Sequence, residues 1–286
     1  MEYLQDRLNG GAAASSLSVY ASAINAVHPL EVFSDKRVKL FLKGAFNLNP
    51  PVRDPYPSWN LAVVLQSLAA APFEPIRDIS LKLLTIKTAF LVAITSARRG
   101  CELQALDCRP DWCKIRQWGC VLRHNADFLP KVATVANIQA EFQLPLYRPS
   151  DPNDLACRRQ RCLCVTRALK EYVRRTSAYR REGVNQLFVC YGKQSPGEAA
   201  SKASIARWIS KAITLAYEIQ GMDPPTKIKA HSTRKMAAST AYARGIDFSE
   251  IAQSAMWAGR GTFVNHYQLH LSEENRFRVA NTVLTL

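Results

Sequence analysis

The chain has 286 residues, 48% of them hydrophobic, which is enough for a core and too many for a polymer disordered by composition. Lysines and arginines number 38 against 23 aspartates and glutamates, a net charge of +15 that implies a polyanionic partner, nucleic acid or an anionic membrane surface. The longest apolar stretch, Leu81–Ile94, falls short of the roughly 18 residues of a membrane span and is interrupted by lysines. Met1–Leu8 is polar and charged, unlike a secretory signal, so nucleic acid is the expected partner and a membrane is not. None of the eight cysteines forms a C-x-x-C pair; reduced thiols inside the cell, with no bound metal, are the expectation.

Along the chain, Leu17, Tyr20, Ile24 and Val27 recur at helical spacing until His28-Pro29 ends the run. Ser34 is the expected N-cap of a second helix with Val38, Phe41, Leu42 and Ala45 as its stripe. The prolines of "NPPVRDPYPS" then break regular structure and read as a linker between a domain over 1–54 and a larger one over 55–286. Leu61, Val64, Leu65 and Leu68 predict a helix capped by Ser58, and Leu83–Ile94, apolar on nearly all sides, predicts a central buried helix. Three β-prone runs follow, Cys120–Arg123, Phe128–Val132 and Phe142–Leu146, with "HNAD" as a hairpin turn between the first two and Pro130 restricting the second to an edge. Helices are predicted to resume after Cys162, pause at the strand-like "LFVCY", and return over Ser204–Tyr217 and His231–Arg244, where Gly245 stops the last. Shorter helices are expected over Ser249–Ala255, Thr262–Tyr267 and Ser272–Thr282.

Four residues carry the chemistry in "AHSTRKMAASTAYARG" and "AMWAGRGTFVNHYQLH". His231 and Arg234, three apart on a helix, share one face. Arg234 offers a planar fork of donors to a phosphate, and His231 can pass a proton beside it. Trp257 adds an indole donor, and Tyr267 a phenol ten positions later. An upstream arginine stands in "TSARRGCELQAL", as Arg98 or Arg99. Such a set matches the needs of metal-free cleavage of a phosphodiester: a nucleophile, charge stabilisers and an acid for the leaving oxygen. A lone tyrosine, histidine or tryptophan is more commonly a structural residue, so it is their order and spacing that gives the reading its force.

Five ordered pieces, "PYPSWNLAVVLQSLAAAPFEPI", "TSARRGCELQAL", "FLPKV", "AHSTRK" and "WAGRGTFVNHYQL", make the chain resemble the tyrosine recombinases, or phage integrase superfamily, and within it the recombinases of DIRS- and Ngaro-type retrotransposons. The resemblance implies a mainly α fold with a small antiparallel β-sheet, a catalytic domain preceded by a truncated helical core-binding domain, and a two-domain clamp on double-stranded DNA. It implies Tyr267 as the nucleophile that forms a 3′-phosphotyrosyl link, Arg99 and Arg234 as the clamp on the scissile phosphate, His231 as acid or base, and Trp257 in a position that is histidine or tryptophan across the family. The family pattern places a glutamate three residues after its first arginine, which selects Arg99 through Glu102 and leaves Arg98 as a backbone-phosphate contact or a surface charge. Lys131 of "FLPKV" matches the lysine that protonates the leaving 5′-oxygen, with Lys114 as the competing choice. Lys202 and Arg207, at a predicted helix start, are read as further DNA contacts. No cofactor is implied. Pairing into dimers or tetramers on DNA, a nuclear location and a role in moving a mobile element are expected, and the final predicted helix is expected to dock on a neighbouring protomer or on its own domain. Lys235 departs from the family pattern, in which a small residue follows the second arginine. A domesticated, non-cleaving DNA-binding protein and a type IB topoisomerase-like enzyme are the alternatives.

Overall fold

The structure, a computed structural model, describes residues 1–27, 32–50, 57–131, 138, 141–148, 150–151, 153–192, 194–257, 261, 263–264 and 267–269. The chain divides into two compact units, Met1–Asp54 and Pro55–Leu286. The fold is mainly helical with one small antiparallel sheet.

The first unit holds α1 (Glu2–Asn9), α2 (Ala14–Val27) and α3 (Lys36–Leu48). Leu4, Ala21 and Val38 meet at its centre, with Tyr20, Phe41 and Leu42 packed around them. The stripes expected from Leu17 and from Val38 to Ala45 face inward, whereas Val27 is exposed at the end of its helix. The cap of α3 is Asp35, not Ser34: its carboxylate accepts from the Arg37 amide at 2.8 Å, while Ser34 belongs to a preceding 3₁₀ turn. Val19, Leu40, Phe46 and Leu48 remain exposed, so three helices leave much apolar surface uncovered.

The second unit is built around α5 (Leu81–Ser96), buried on almost every side. It packs against α8 (Val165–Thr176) and α9 (Lys202–Ile219), and α4 (Leu61–Leu68) covers α9. The cap of α4 is Asn60, whose side chain accepts from Ala62 N at 2.8 Å; Ser58 lies two residues too early. Ser80 caps α5, accepting from Leu83 N at 3.3 Å, and Ala97 ends it in the left-handed conformation (φ 51°). One charge lies inside this core. Lys87 is 0% exposed, yet its ammonium donates to Leu68 O (2.8 Å), Phe73 O (3.3 Å) and Glu74 Oε1 (2.5 Å). Arg167 holds both oxygens of Glu74 at 2.8 Å. The buried cation is thus fully paired, as burial in a low-dielectric interior demands.

The sheet corrects the predicted strand pairing. β1 (Cys113–Ile115), β2 (Gly119–Leu122) and β3 (Phe142–Pro145) form an antiparallel meander, with Cys113 opposite Leu122 and Cys120 opposite Leu144. The tight turn lies between β1 and β2. "HNAD" is not a hairpin turn, and Phe128–Lys131 is not a strand; Val132 lies outside the described residues. Gly119 permits the β2–β3 approach, because a Cβ there would stand 2.2 Å from the Leu144 carbonyl oxygen. The strand-like "LFVCY" contributes one residue, Val189, to an isolated bridge with Ala199.

A helix not anticipated, α7 (Leu155–Cys162), precedes α8; Asp154 caps it, and the thiol of Cys164 caps α8. Near the C-terminal end, α10 (Ser232–Ala243) stops before Gly245 (φ +85°), and α11 (Phe248–Ala255) is capped by Asp247. Of the helix predicted over 262–267, Phe263 and Val264 are helical and Tyr267 lies in a turn. The helix predicted over 272–282 lies outside the described residues. Among the described residues, no helix is long and apolar enough to cross a membrane.

Candidate active site

The end of α5 delivers the first arginines. After the left-handed turn at Ala97, Arg99 becomes the N-cap of α6 (Gly100–Gln104), and Glu102 in the first turn binds it twice. The carboxylate accepts from the Arg99 amide at 2.9 Å and from Nη1 at 2.8 Å. Glu102 therefore braces the helix start and aims the guanidinium. Arg98, by contrast, is buried. It is 4% exposed, and burial lowers its guanidinium pKa to about 10. Arg98 is therefore not the solvated surface charge that the sequence offered as one of its two readings. The buried His124, whose pKa burial and then the Arg98 charge lower to about 4, lies near it.

The second half of the site comes from α10. Trp59 donates to Ser232 Oγ at 2.7 Å and Ser232 Oγ donates to Lys229 O at 2.6 Å, fixing the start of that helix. His231 stands at its N-terminal boundary, with its side chain unused in capping. Arg234, one turn in, is 0% exposed. Its Nη1 donates to Ala97 O at 2.7 Å and its Nη2 to Ala255 O at 2.5 Å, while Glu102 Oε2 lies 3.9 Å from Nη1. One guanidinium thus ties the ends of α5, α10 and α11 together.

Tyr267 sits against this guanidinium. Its ring stacks on Trp257 at 4.7 Å between centroids, and lies 5.5 Å from the His231 ring. Arg234 Cζ is 5.2 Å from the centroids of both Trp257 and Tyr267. Phe248 and Phe263 pack around Trp257, making a small apolar cluster separate from the main core. Ser239, which the sequence reading missed, fixes the tyrosine's backbone. It donates to Tyr267 O at 2.9 Å and accepts from Leu269 N at 2.9 Å. Nothing local marks it, since a serine in an alanine-rich helix gives no signal of partners nearly thirty residues away.

The structure thus brings Arg99, His231, Arg234, Trp257 and Tyr267 together. His231 is exposed at the helix start, yet desolvation by the packed groups around it, reinforced by the charges of Arg234, Lys235, Arg99 and Lys202, holds its pKa below the ordinary histidine value. That direction favours the neutral imidazole, the form able to accept a proton. Two buried donors, Trp257 Nε1 and Arg234 Nε, have no hydrogen-bond acceptor among the described residues. Unpaired donors of this kind carry a cost of about 1–3 kcal/mol each unless an acceptor arrives.

Lys131 is exposed on the connection between β2 and β3, and no contact among the described residues ties it to these five. Lys114 lies on β1 opposite Val121. Lys202 opens α9, exposed and close to Gly100. Arg207 is exposed further along the helix, with Nη2 3.3 Å from Ser204 Oγ. Among the described residues, no group of side chains has the makings of a metal site, and all eight cysteines are free.

No family model matches the sequence, and no curated protein does. Solved structures do match the fold. The XerH site-specific recombinase in a post-cleavage complex with palindromic difH substrate aligns over 99% of this chain and 76% of its own, at a TM-score of 0.54 and 14% identity. The integrase of transposon Tn1549, in complex with circular intermediate DNA, aligns over 98% and 82%, at a TM-score of 0.54 and 11% identity. The XerA recombinase aligns over 96% and 84%, at a TM-score of 0.51 and 14% identity. The chain has the fold of the tyrosine recombinases and integrases.

Proposed function

We propose that this protein is a site-specific DNA recombinase that cuts and rejoins strands through a 3′-phosphotyrosyl intermediate. The observation that carries this reading is the convergence of a phenol, an imidazole and two guanidiniums with two buried donors that have no acceptor among the described residues. The scissile phosphate supplies the missing acceptors. Arg99 and Arg234 neutralise its non-bridging oxygens, and Trp257 Nε1 donates to one of them. His231 takes the phenolic proton as the Tyr267 Oη–phosphorus bond forms. The bond from phosphorus to the 5′-oxygen breaks, and that oxygen leaves with a proton from Lys131. The reverse sequence, with a new 5′-hydroxyl as nucleophile, rejoins the strand.

Tyr267 is only 7% exposed, so the tyrosine segment must open for its hydroxyl to attack a strand. The first unit is proposed as a partial DNA clamp, and pairs of protomers as the assembly on DNA. The ordered sequence pieces support the narrower proposal of an integrase from a DIRS- or Ngaro-like mobile element, acting in the nucleus. XerH and the Tn1549 integrase, described with their DNA, support duplex DNA as the substrate.

The test is incubation with nicked suicide duplexes carrying candidate target sites, in EDTA, followed by denaturing electrophoresis. The expected result is a covalent protein–DNA adduct that Tyr267→Phe abolishes. Binding without adduct, across sites that the protein demonstrably selects from random oligonucleotides, would make it a non-cleaving DNA-binding protein instead.

A further inference from the structure

Lys202 and Arg207 look alike in sequence, two cations at the start of one helix, but the structure separates them. The charge of Arg207 acts on Tyr191 and Cys190, whereas that of Lys202 acts on His231. Lys202 lies against the start of α6. Its stem crosses Gly100, with Cγ 3.5 Å and Cε 3.8 Å from where a Cβ on that glycine would stand. Gly100 directly follows Arg99. The lysine is therefore laid beside the first arginine by apolar contact along its stem, which leaves the ammonium free to project.

That ammonium has no hydrogen bond or ion pair among the described residues, and the neighbouring carboxylate, Glu102, is already engaged by Arg99 and Arg234. It also stands at the N-terminus of an 18-residue helix, where the backbone dipole adds to its positive field. His231 feels its charge together with those of Arg99 and Arg234. A cation fixed at its stem, lacking a counter-ion and grouped with two guanidiniums is arranged for an anion shared with them.

We infer that Lys202 contacts the scissile phosphate itself, as a third cation beside Arg99 and Arg234, rather than the DNA backbone elsewhere. This deepens the recombinase reading and rests on it. The role is charge neutralisation on the non-bridging oxygens as the phosphorus becomes five-coordinate; the proton for the leaving oxygen still comes from Lys131.

The experiment compares Lys202→Ala with wild type on two suicide duplexes, one with an ordinary scissile phosphate and one with a neutral methylphosphonate there. Lys202→Ala slows adduct formation about a hundredfold on the diester and by less than about threefold on the methylphosphonate, since there is no charge left to neutralise. Arg207→Ala slows both substrates by one common factor. Equal losses for Lys202→Ala on the two substrates, or no loss on either, overturn the inference. A second measurement does not need turnover: inorganic phosphate titrated against tryptophan fluorescence, with Trp257→Phe identifying the responding indole. Lys202→Ala weakens phosphate binding about tenfold, and an unchanged affinity overturns the inference. A wild type that forms no adduct on any duplex it selects sinks the recombinase reading alone, and the phosphate titration still decides the lysine.

Discussion

Two buried charge networks lie in the second unit, and they use their hydrogen bonds differently. Around Lys87, every ammonium proton and both oxygens of Glu74 are engaged, with Arg167 closing the far side. Around Arg234, two donors go to carbonyl oxygens while Nε, and the neighbouring Trp257 Nε1, have no acceptor among the described residues. Both networks are buried and both perturb their pKa values, so neither property separates structure from function. What distinguishes these two networks is the hydrogen-bonding capacity that the second leaves unused.

Breaking the first network gives the largest expected effect. Lys87→Met leaves Glu74 to Arg167 alone and two buried carbonyls without their donor, and lowers stability by about 3–5 kcal/mol, read by urea unfolding. Replacing Lys87, Glu74 and Arg167 together by apolar residues of similar size restores most of that loss, because the network serves packing alone. Continued instability of the triple variant would show that it does more.

Acid acts on a further buried group, His124, which feels the charges of Arg98 and Glu102. Its folded pKa of about 4 lies below the ordinary 6.5, so the unfolded chain takes up the proton first as pH falls. The stability held by the neutral imidazole is complete above about pH 6.5 and is lost between 6.5 and 4, by about 3 kcal/mol. His124→Gln flattens the unfolding profile across that window.

Trp257→Phe keeps the stacking surface and deletes one unpaired donor. Adduct formation falls about a hundredfold, while stability shifts by less than about 1 kcal/mol, because relief of the unpaired N–H offsets the smaller ring. A stability loss as large as that of Lys87→Met would erase the distinction between the networks. Ser239→Ala gives the smallest effect: it removes two bonds that hold the Tyr267 backbone and slows adduct formation about tenfold, with binding to duplex unchanged.

What the sequence made legible follows the range of the interaction. Leu83–Ile94 announces a buried helix because apolarity on every face is a local property, and the i, i+3 spacing of His231 and Arg234 survives intact into α10. The three-residue spacing from Arg99 to Glu102 appears in the structure as a double hydrogen bond. Caps were misplaced by one or two residues, since Ser34 and Ser58 compete with better-placed Asp35 and Asn60. The sheet was misread because β2 passes over the nearest β-prone run and pairs with residues twenty positions on, a choice made by tertiary packing. Arg98 looked exposed because arginine normally is, and only the turn at Ala97 sends it inward. The approach of Lys202 to Gly100 spans a hundred positions and has no local signature.

Ala97 holds one further consequence. Its carbonyl, not its side chain, receives Arg234, so no exchange of side chain at 97 deletes the acceptor; only a change of backbone path does. At φ 51° glycine and asparagine are admitted and β-branched residues are not. Evolution working on this chain is therefore confined at that position by the shape of the main chain, and Ala97→Val would disarm a guanidinium 137 residues away without touching it.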